Sequence, residues 1–313
     1  MKKVIYKQYG DESVLELTEQ AMPAFDKDQL LIRVKAVSIN PLDWKIYRGE
    51  MKLMSGSKFP KAVGIDFSGI VEKAGDIITN FKTGDAVFGL LDVFKGGALA
   101  DYVVVKESDI VLKPDNVSFE QAAALPVTGL SALQIIDQLA AIGSGQDMLI
   151  NGATGGIGMF AVQIAKRRGA RVTAVMSTKG TALAAQWGAD RVIDYSKEDI
   201  RLTDQRFDAV IDLSTRLTFK AAKKLMKSKA TFVSTLPSPV ALMYSFFNNL
   251  FSSRKMKILI LKPNLSRLNT LSDLTRSGLE IFIDKVYAVT NVREAYSESS
   301  KGKIMGKSVI TVN

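Results

Sequence analysis

The chain has 313 residues, a length that suits two domains. With 47% hydrophobic and 24% charged residues it is neither disordered nor fibrous, and with no cysteine it excludes disulfides and thiolate chemistry. Histidine is absent too, and 42 lysines and arginines against 32 acids leave a net charge of +10, which draws anions such as phosphorylated cofactors, nucleic acid or acidic lipid.

Basic residues are spread along the chain with only short clusters, Lys166 to Arg168 and Lys223 to Lys229, and no aromatic RNA motif accompanies them. Nucleic acid is therefore not expected as the main partner. The N-terminal MKKVIYKQYG turns polar before an apolar signal core can form. No uncharged stretch approaches the roughly 18 apolar residues that span a bilayer. A transmembrane segment is not expected, and the expected location is cytoplasmic.

The first part of the chain alternates short β-rich runs with glycine, proline and aspartate turns: Leu30 to Val37, Gly69 to Glu72, Asp85 to Phe88 and Asp101 to Val105. This predicts a small, mostly antiparallel β-domain. Within it, Asn40, Pro41 and Asp43 fit the N-cap, first and third positions of a short helix ended by Gly49. Capping accounts for those three residues and leaves Trp44 and Lys45 without a local duty.

From about residue 120 the pattern changes. Phe119 to Leu139 reads as helix, and apolar runs follow at Met148 to Ile150, Arg171 to Met176, Arg191 to Ile193, Asp208 to Leu213, Ala230 to Val233 and Ile258 to Leu261. Strand and helix alternating in this way predict a parallel sheet covered by helices.

Residues 147–168, DMLINGATGGIGMFAVQIAKRR, place a short strand, a glycine turn and an amphipathic helix in the order a pyrophosphate site requires. Glycine lets the backbone turn tightly and approach the ligand, and free amides at the helix start face its charge. Thr154, Gly155, Gly156 and Ile157 are the candidate pyrophosphate contacts. The spacing departs from GxGxxG, so the flanking strand and helix carry the inference. A purely structural glycine turn is the plainer alternative.

The next strand, Arg171 to Met176, ends in Ser177, Thr178 and Lys179 where an NAD enzyme carries an acid for the ribose hydroxyls. Two hydroxyls and an ammonium suit a 2′-phosphate that a carboxylate would repel, which favours NADPH over NADH. An ordinary polar loop is the alternative. Tyr195, at the following strand end, is placed beside the adenosine or at the sheet edge.

The run from Leu236 to Arg254, LPSPVALMYSFFNNLFSSR, is unusually apolar and reads as a substrate-cleft element, a subunit contact or a buried helix. After Pro263 a helix, Leu265 to Arg276, and β-like segments, Val286 to Val289 and Lys307 to Thr311, return to the β-rich character of the first 120 residues. The expected division is a discontinuous domain of residues 1–120 and 263–313 and a second domain of residues 121–262.

NPLDWKIYRG (Asn40 to Gly49), VGIDFSGIV (Val63 to Val71), GDAVFG (Gly84 to Gly89), AAALPVTGLSA (Ala122 to Ala132) and NGATGGIG (Asn151 to Gly158) occur in an order that resembles the medium-chain dehydrogenase/reductase superfamily. The resemblance is to its zinc-free quinone oxidoreductase branch, with NPLDWK nearest the alkenal/enone oxidoreductases. It implies an α/β fold class: a Rossmann doubly wound parallel sheet plus a GroES-like, mostly antiparallel β-domain. It also implies Thr128 as a further cofactor contact, and a homodimer.

Zinc-dependent members of that superfamily hold the metal with cysteine and a GHE motif. Here Asn40 stands for the first cysteine, and Ile65 for the histidine, with Asp66 in place of the glutamate. Catalytic zinc needs about three protein ligands, so no metal site is expected. Alcohol oxidation thereby loses its usual activation. Reduction of a C=C bond conjugated to a carbonyl needs instead a donor for the charge that gathers on oxygen.

Lys45 is the candidate donor, or holds the cofactor's ribose or nicotinamide region. Asn40 is expected as a neutral donor in the same cleft, and Tyr47 as a second choice for proton source. Relatives often carry Arg at the position of Tyr47 and Ala-His at Ala295 and Tyr296. Lys307, in the closing strand, is taken either to reach the cofactor or to be solvated. The expected function is NADPH-dependent hydride transfer to a small hydrophobic quinone or α,β-unsaturated carbonyl. Two other readings stay open: an NADPH-binding regulator or scaffold without catalysis, and a one-electron quinone reductase.

Overall fold

The computed structural model describes residues 1–312 and divides into two compact units, Met1–Val127 together with the chain from Pro263, and Thr128–Lys262. In the first unit the strand Leu30–Ser38 is the centre of a seven-stranded sheet. Its leucines, valines and isoleucine are buried while Arg33 and Lys35 are only partly covered, the alternation of a pleated strand in a half-buried sheet. Asp66–Ala74 pairs antiparallel along one side. The other side is shared: Tyr102–Val105 pairs with Leu30 to Arg33, and Lys307–Thr311 with Ala36 to Ser38. Lys307–Thr311 also pairs in parallel with Ile283–Ala288, so residues from both ends of the chain complete one sheet.

The short helix Pro41–Tyr47 begins as its sequence dictates, with Pro at the first position, where no intrahelical N–H is needed. The Asp43 carboxylate accepts a hydrogen bond from the Asn40 backbone N–H at 2.8 Å. The chain leaves the helix through Gly49 at φ 81°, a left-handed conformation that glycine adopts without strain.

The stretch expected as one helix, Phe119 to Leu139, is three pieces: Phe119–Ala123, Pro126–Leu133 and a wide-turned continuation, Gln134–Ala140. Pro126 supplies no amide hydrogen to the preceding helix, so a new helix starts there. Ser118 and Gln121 close the first piece with reciprocal side-chain to backbone bonds.

The second unit is a six-stranded sheet in which every neighbouring pair is parallel. Across it the strands run Arg191–Asp194, Arg171–Met176, Asp147–Asn151, Phe207–Asp212, Met226–Ser234 and Lys255–Ile258. Numbered along the chain this is 3-2-1-4-5-6, the doubly wound dinucleotide order, whose switch point lies at the ends of the first and fourth strands. Leu149, Val175, Ile193, Val210 and Phe232 supply one core of this unit.

Candidate active site

Both units carry candidate polar sites. In the second unit the strand Asp147–Asn151 runs into the glycine turn, and Gly155 caps the helix Gly156–Arg167. The Met159 amide bonds the Gly155 carbonyl at 2.9 Å, which leaves the amides of Gly156, Ile157 and Gly158 facing out of the helix start. No acid lies in that first turn. A Cβ on Gly158 would come within 2.5 Å of the carbonyl oxygens of Gly152 and Ala153, so glycine alone lets the helix lie this close to the turn. Gly152 sits at φ 86°, and its floor is braced by Asn151, whose side-chain amide donates to Asp212 at 2.9 Å and Ser214 at 2.8 Å. These features fit a bound pyrophosphate.

Ser177, Thr178 and Lys179 lie together where the strand Arg171–Met176 ends. Gly180 joins them to the glycine turn, because a Cβ there would come within 2.7 Å of the Thr154 side chain. Lys179 is exposed. The Thr178 hydroxyl donates to Asp194 at 2.6 Å, a partner that sequence reasoning misses. Hydroxyls of Thr178 and Ser196 hold the Asp194 carboxyl below its ordinary range, so a carboxylate lies against Thr178, with the Lys197 ammonium 3.9 Å from it. Tyr195 is exposed next to it. Thr128 is buried in the helix Pro126–Leu133.

In the first unit Ser38, Asn40, Asp43, Asp66, Tyr296 and Lys307 form a buried polar cluster. Asp66 accepts from the Ser38 hydroxyl (2.9 Å), the Asn40 amide (2.9 Å) and the Val127 backbone N–H (3.0 Å). Lys307, 3% exposed, donates to the Ile39 carbonyl at 2.6 Å and to Asn40 Oδ1 at 2.7 Å. Tyr296 donates to Asp43 at 3.2 Å, and the other Asp43 oxygen has no partner. Burial pushes the Asp43 carboxyl up to about 7 and that of Asp66 up to about 6, and pulls the Lys307 ammonium down to about 8.

Three expectations change here. Lys307 is neither solvated nor free to reach outward, because its ammonium is spent on Ile39 and Asn40. Asn40 is no available donor, since its amide serves Asp66 and, at 3.4 Å, the Ser38 carbonyl. Tyr47 is fully buried between Tyr6 and Tyr296, its hydroxyl without a partner and its ionisation pushed upward by burial, which removes it as proton source. Lys45, on the same helix, is half-buried, and its ammonium has no hydrogen bond or ion pair among the described residues.

A GroES-like β-unit and a doubly wound unit with a glycine turn define a medium-chain dehydrogenase/reductase. Residues 26–115 match the alcohol dehydrogenase GroES-like domain, and residues 187–310 match the zinc-binding dehydrogenase family. The chain is 33% identical to a chloroplastic quinone-oxidoreductase homolog of Spinacia oleracea, with 99% of this chain and 98% of that one covered. An NADPH-dependent alkenal/one oxidoreductase of Arabidopsis thaliana chloroplasts is 34% identical over 68% of this chain and 57% of its own. The solved quinone oxidoreductase of Coxiella burnetii superposes with a TM-score of 0.91 at 30% identity, covering 100% and 99% of the two chains. The chain thus belongs to the quinone oxidoreductase family of oxidoreductases. The zinc its second family model implies does not fit: Asn40, Ile65 and Asp66 offer one carboxylate, an ammonium lies against Asn40, and no group of three His, Cys, Asp or Glu side chains among the described residues is placed to hold a metal.

Proposed function

We propose that this protein reduces quinones or the activated double bond of enals and enones with NADPH, without a metal. The carrying observation is the glycine turn with its outward amides at the switch point of a 3-2-1-4-5-6 sheet. Gly155, Gly156 and Ile157 seat the pyrophosphate, and Ser177 and Lys179 meet the 2′-phosphate. When bound, NADPH supplies the hydride. Lys45 meets the negative charge that gathers on the acceptor's oxygen, and its lack of a competing partner supports that role. With no histidine in the chain, the final proton comes from solvent.

The test follows loss of NADPH absorbance against a panel of quinones, enals and enones. Turnover giving the hydroquinone or the saturated carbonyl supports the reading. Tight NADPH binding with no turnover on any acceptor would make the protein a non-catalytic NADPH-binding regulator, and a semiquinone radical signal would make it a one-electron reductase. Lys179→Ala should weaken NADPH more than NADH, and Lys45→Ala should lower kcat by about tenfold or more. Unchanged enone turnover in Lys45→Ala removes that residue from the reaction. The absence of cysteine suits a cytoplasmic location, and among the described residues no helix is long and apolar enough to cross a membrane. Size-exclusion chromatography decides whether the chain forms the homodimer.

A further inference from the structure

In the first unit the strand Lys2–Tyr6 covers the edge of the run that leads into Tyr102–Val105, and the cover stops short. Lys3 bridges Ala100, and the Lys2 carbonyl accepts from the Asp101 backbone N–H at 2.9 Å. Beyond that point Tyr102–Val105 pairs with Leu30 to Arg33 on one side and with no described strand on the other. A hollow of ≈ 420 Å³ opens there. Val103 and Val105 turn into the core behind it. Tyr102 and Val104 stay half-exposed and, with Leu91 and Pro23, give the hollow an apolar wall.

The turn of residues 92–97 forms another wall and is pinned by backbone bonds. Asp92 accepts from the N–H groups of Phe94 and Lys95, both at 3.0 Å, and the Gly64 carbonyl accepts from those of Gly97 and Ala98 at 2.9 and 3.0 Å. Lys3 reaches Gly97, where a Cβ would stand 3.5 Å from its ammonium, and at φ 114° that position favours glycine, so no side chain there covers the charge. The half-buried Lys3 ammonium has no hydrogen bond or ion pair among the described residues, and burial alone shifts it, downward. Asp92 and Asp109 share the hollow, but Asp92 holds its own turn and Asp109 accepts from the Lys106 N–H at 3.1 Å. An ammonium taken partly out of water without a counter-charge is unfavourable until an anion meets it.

We infer that this hollow binds a small lipophilic monocarboxylate, its carboxylate on the Lys3 ammonium and its chain along Leu91, Tyr102 and Val104. Among the side chains that line it, the ammonium groups of Lys3, Lys95 and Lys106 face the carboxylates of Asp92 and Asp109, a balance that suits a single carboxylate better than a polyanion. An apolar wall with one placed charge, in a volume of this size, is the usual build of a small-ligand site. Neither Lys45 nor any residue of the glycine turn lines the hollow, so it is separate from both candidate sites described above.

Octanoate is titrated into the full-length protein by isothermal titration calorimetry, beside 1-octanol, which has the chain alone, and acetate, which has the charge alone. Octanoate is expected to bind with a Kd below about 1 mM, and the other two about tenfold more weakly or worse. Lys3→Met, which removes the ammonium, and Val104→Glu, which sets a carboxylate in the apolar wall, should each weaken octanoate by about tenfold or more. Lys3→Arg should retain binding, and Lys45→Ala should leave it unchanged, which separates this hollow from the candidate reaction site. Melting curves that match the wild type report the fold of each variant. The inference is overturned if octanoate does not bind, if 1-octanol binds as tightly, or if the affinity ignores both Lys3→Met and Val104→Glu.

Discussion

Replacing Lys307 with methionine tests the buried cluster of the first unit directly. The change deletes two charge-assisted hydrogen bonds, at 2.6 and 2.7 Å, and leaves Asp66 buried without its counter-charge. Breaking a buried pair from one side costs about 3–5 kcal/mol, a large fraction of a typical domain's stability. The cost depends on pH. The attraction needs an ionised Asp66, above about 6, and a charged Lys307, below about 8, so near neutrality it is at its largest. At about pH 5 Asp66 binds a proton, and the loss should shrink by about 1–2 kcal/mol. Above neutrality the sign reverses for the native protein. Its buried lysine releases a proton that the unfolded chain keeps up to 10.5, so the wild type gains stability between about 8 and 10.5, and the variant lacks that gain. Urea unfolding in a Trp187→Phe background reads the first unit alone, because Trp44 is then the only tryptophan. A cost under about 1 kcal/mol at neutral pH, or one independent of pH, would refute the cluster as described.

Three further outcomes are expected. Gly158→Ala forces a methyl to within 2.5 Å of two carbonyl oxygens and should weaken NADPH binding by about tenfold or more, measured by fluorescence titration; unchanged affinity would show that the turn is not tightly held. Tyr47→Phe removes a buried hydroxyl that has no partner, so stability should hold or rise by about 1 kcal/mol with kcat unchanged, whereas a hundredfold loss of kcat would restore Tyr47 as an acid. Asp43→Asn addresses a carboxyl whose folded value is raised from 3.8 to about 7, so the folded state holds a proton that the unfolded chain gives up, and wild-type stability falls as pH rises through that window. The variant should gain on the wild type there by at most about 1.4 kcal/mol per pH unit, read from melting curves, and a constant gap would contradict the assignment.

What could be read from the sequence was local. Leu265–Arg276 and Lys307–Thr311 end where their sequences predict, since each is a periodic or β-branched run bounded by residues that stop it. The glycine turn was legible because a backbone demand selects glycine whatever surrounds it. The cluster of Ser38, Asn40, Asp66 and Lys307 was not, because its members meet across 267 residues of chain and no short pattern encodes that meeting. Asp194 is hidden for the same reason, as its partner Thr178 lies on a neighbouring strand end. In the segment from Leu236 to Arg254, apolar composition suited a buried helix as well as a cleft element or a subunit contact, and the buried helix is not what forms, since no residue of Pro239–Phe251 is buried. Hydrogen bonds from Ser245, Asn248 and Asn249 turn the helix over.

The sheet centred on Leu30–Ser38 also sets an order of assembly. Its partner strand Lys307–Thr311 is synthesised only after all of the second unit, which spans Thr128–Lys262 and can close on itself while the ribosome is still working. Until then Ala36 to Ser38 lack a neighbour on one side, and Asp66 lacks its counter-charge. The nascent first unit is an open-edged intermediate, exposed to chaperones and to mispairing, and one late-arriving lysine both neutralises its interior and seals its seam.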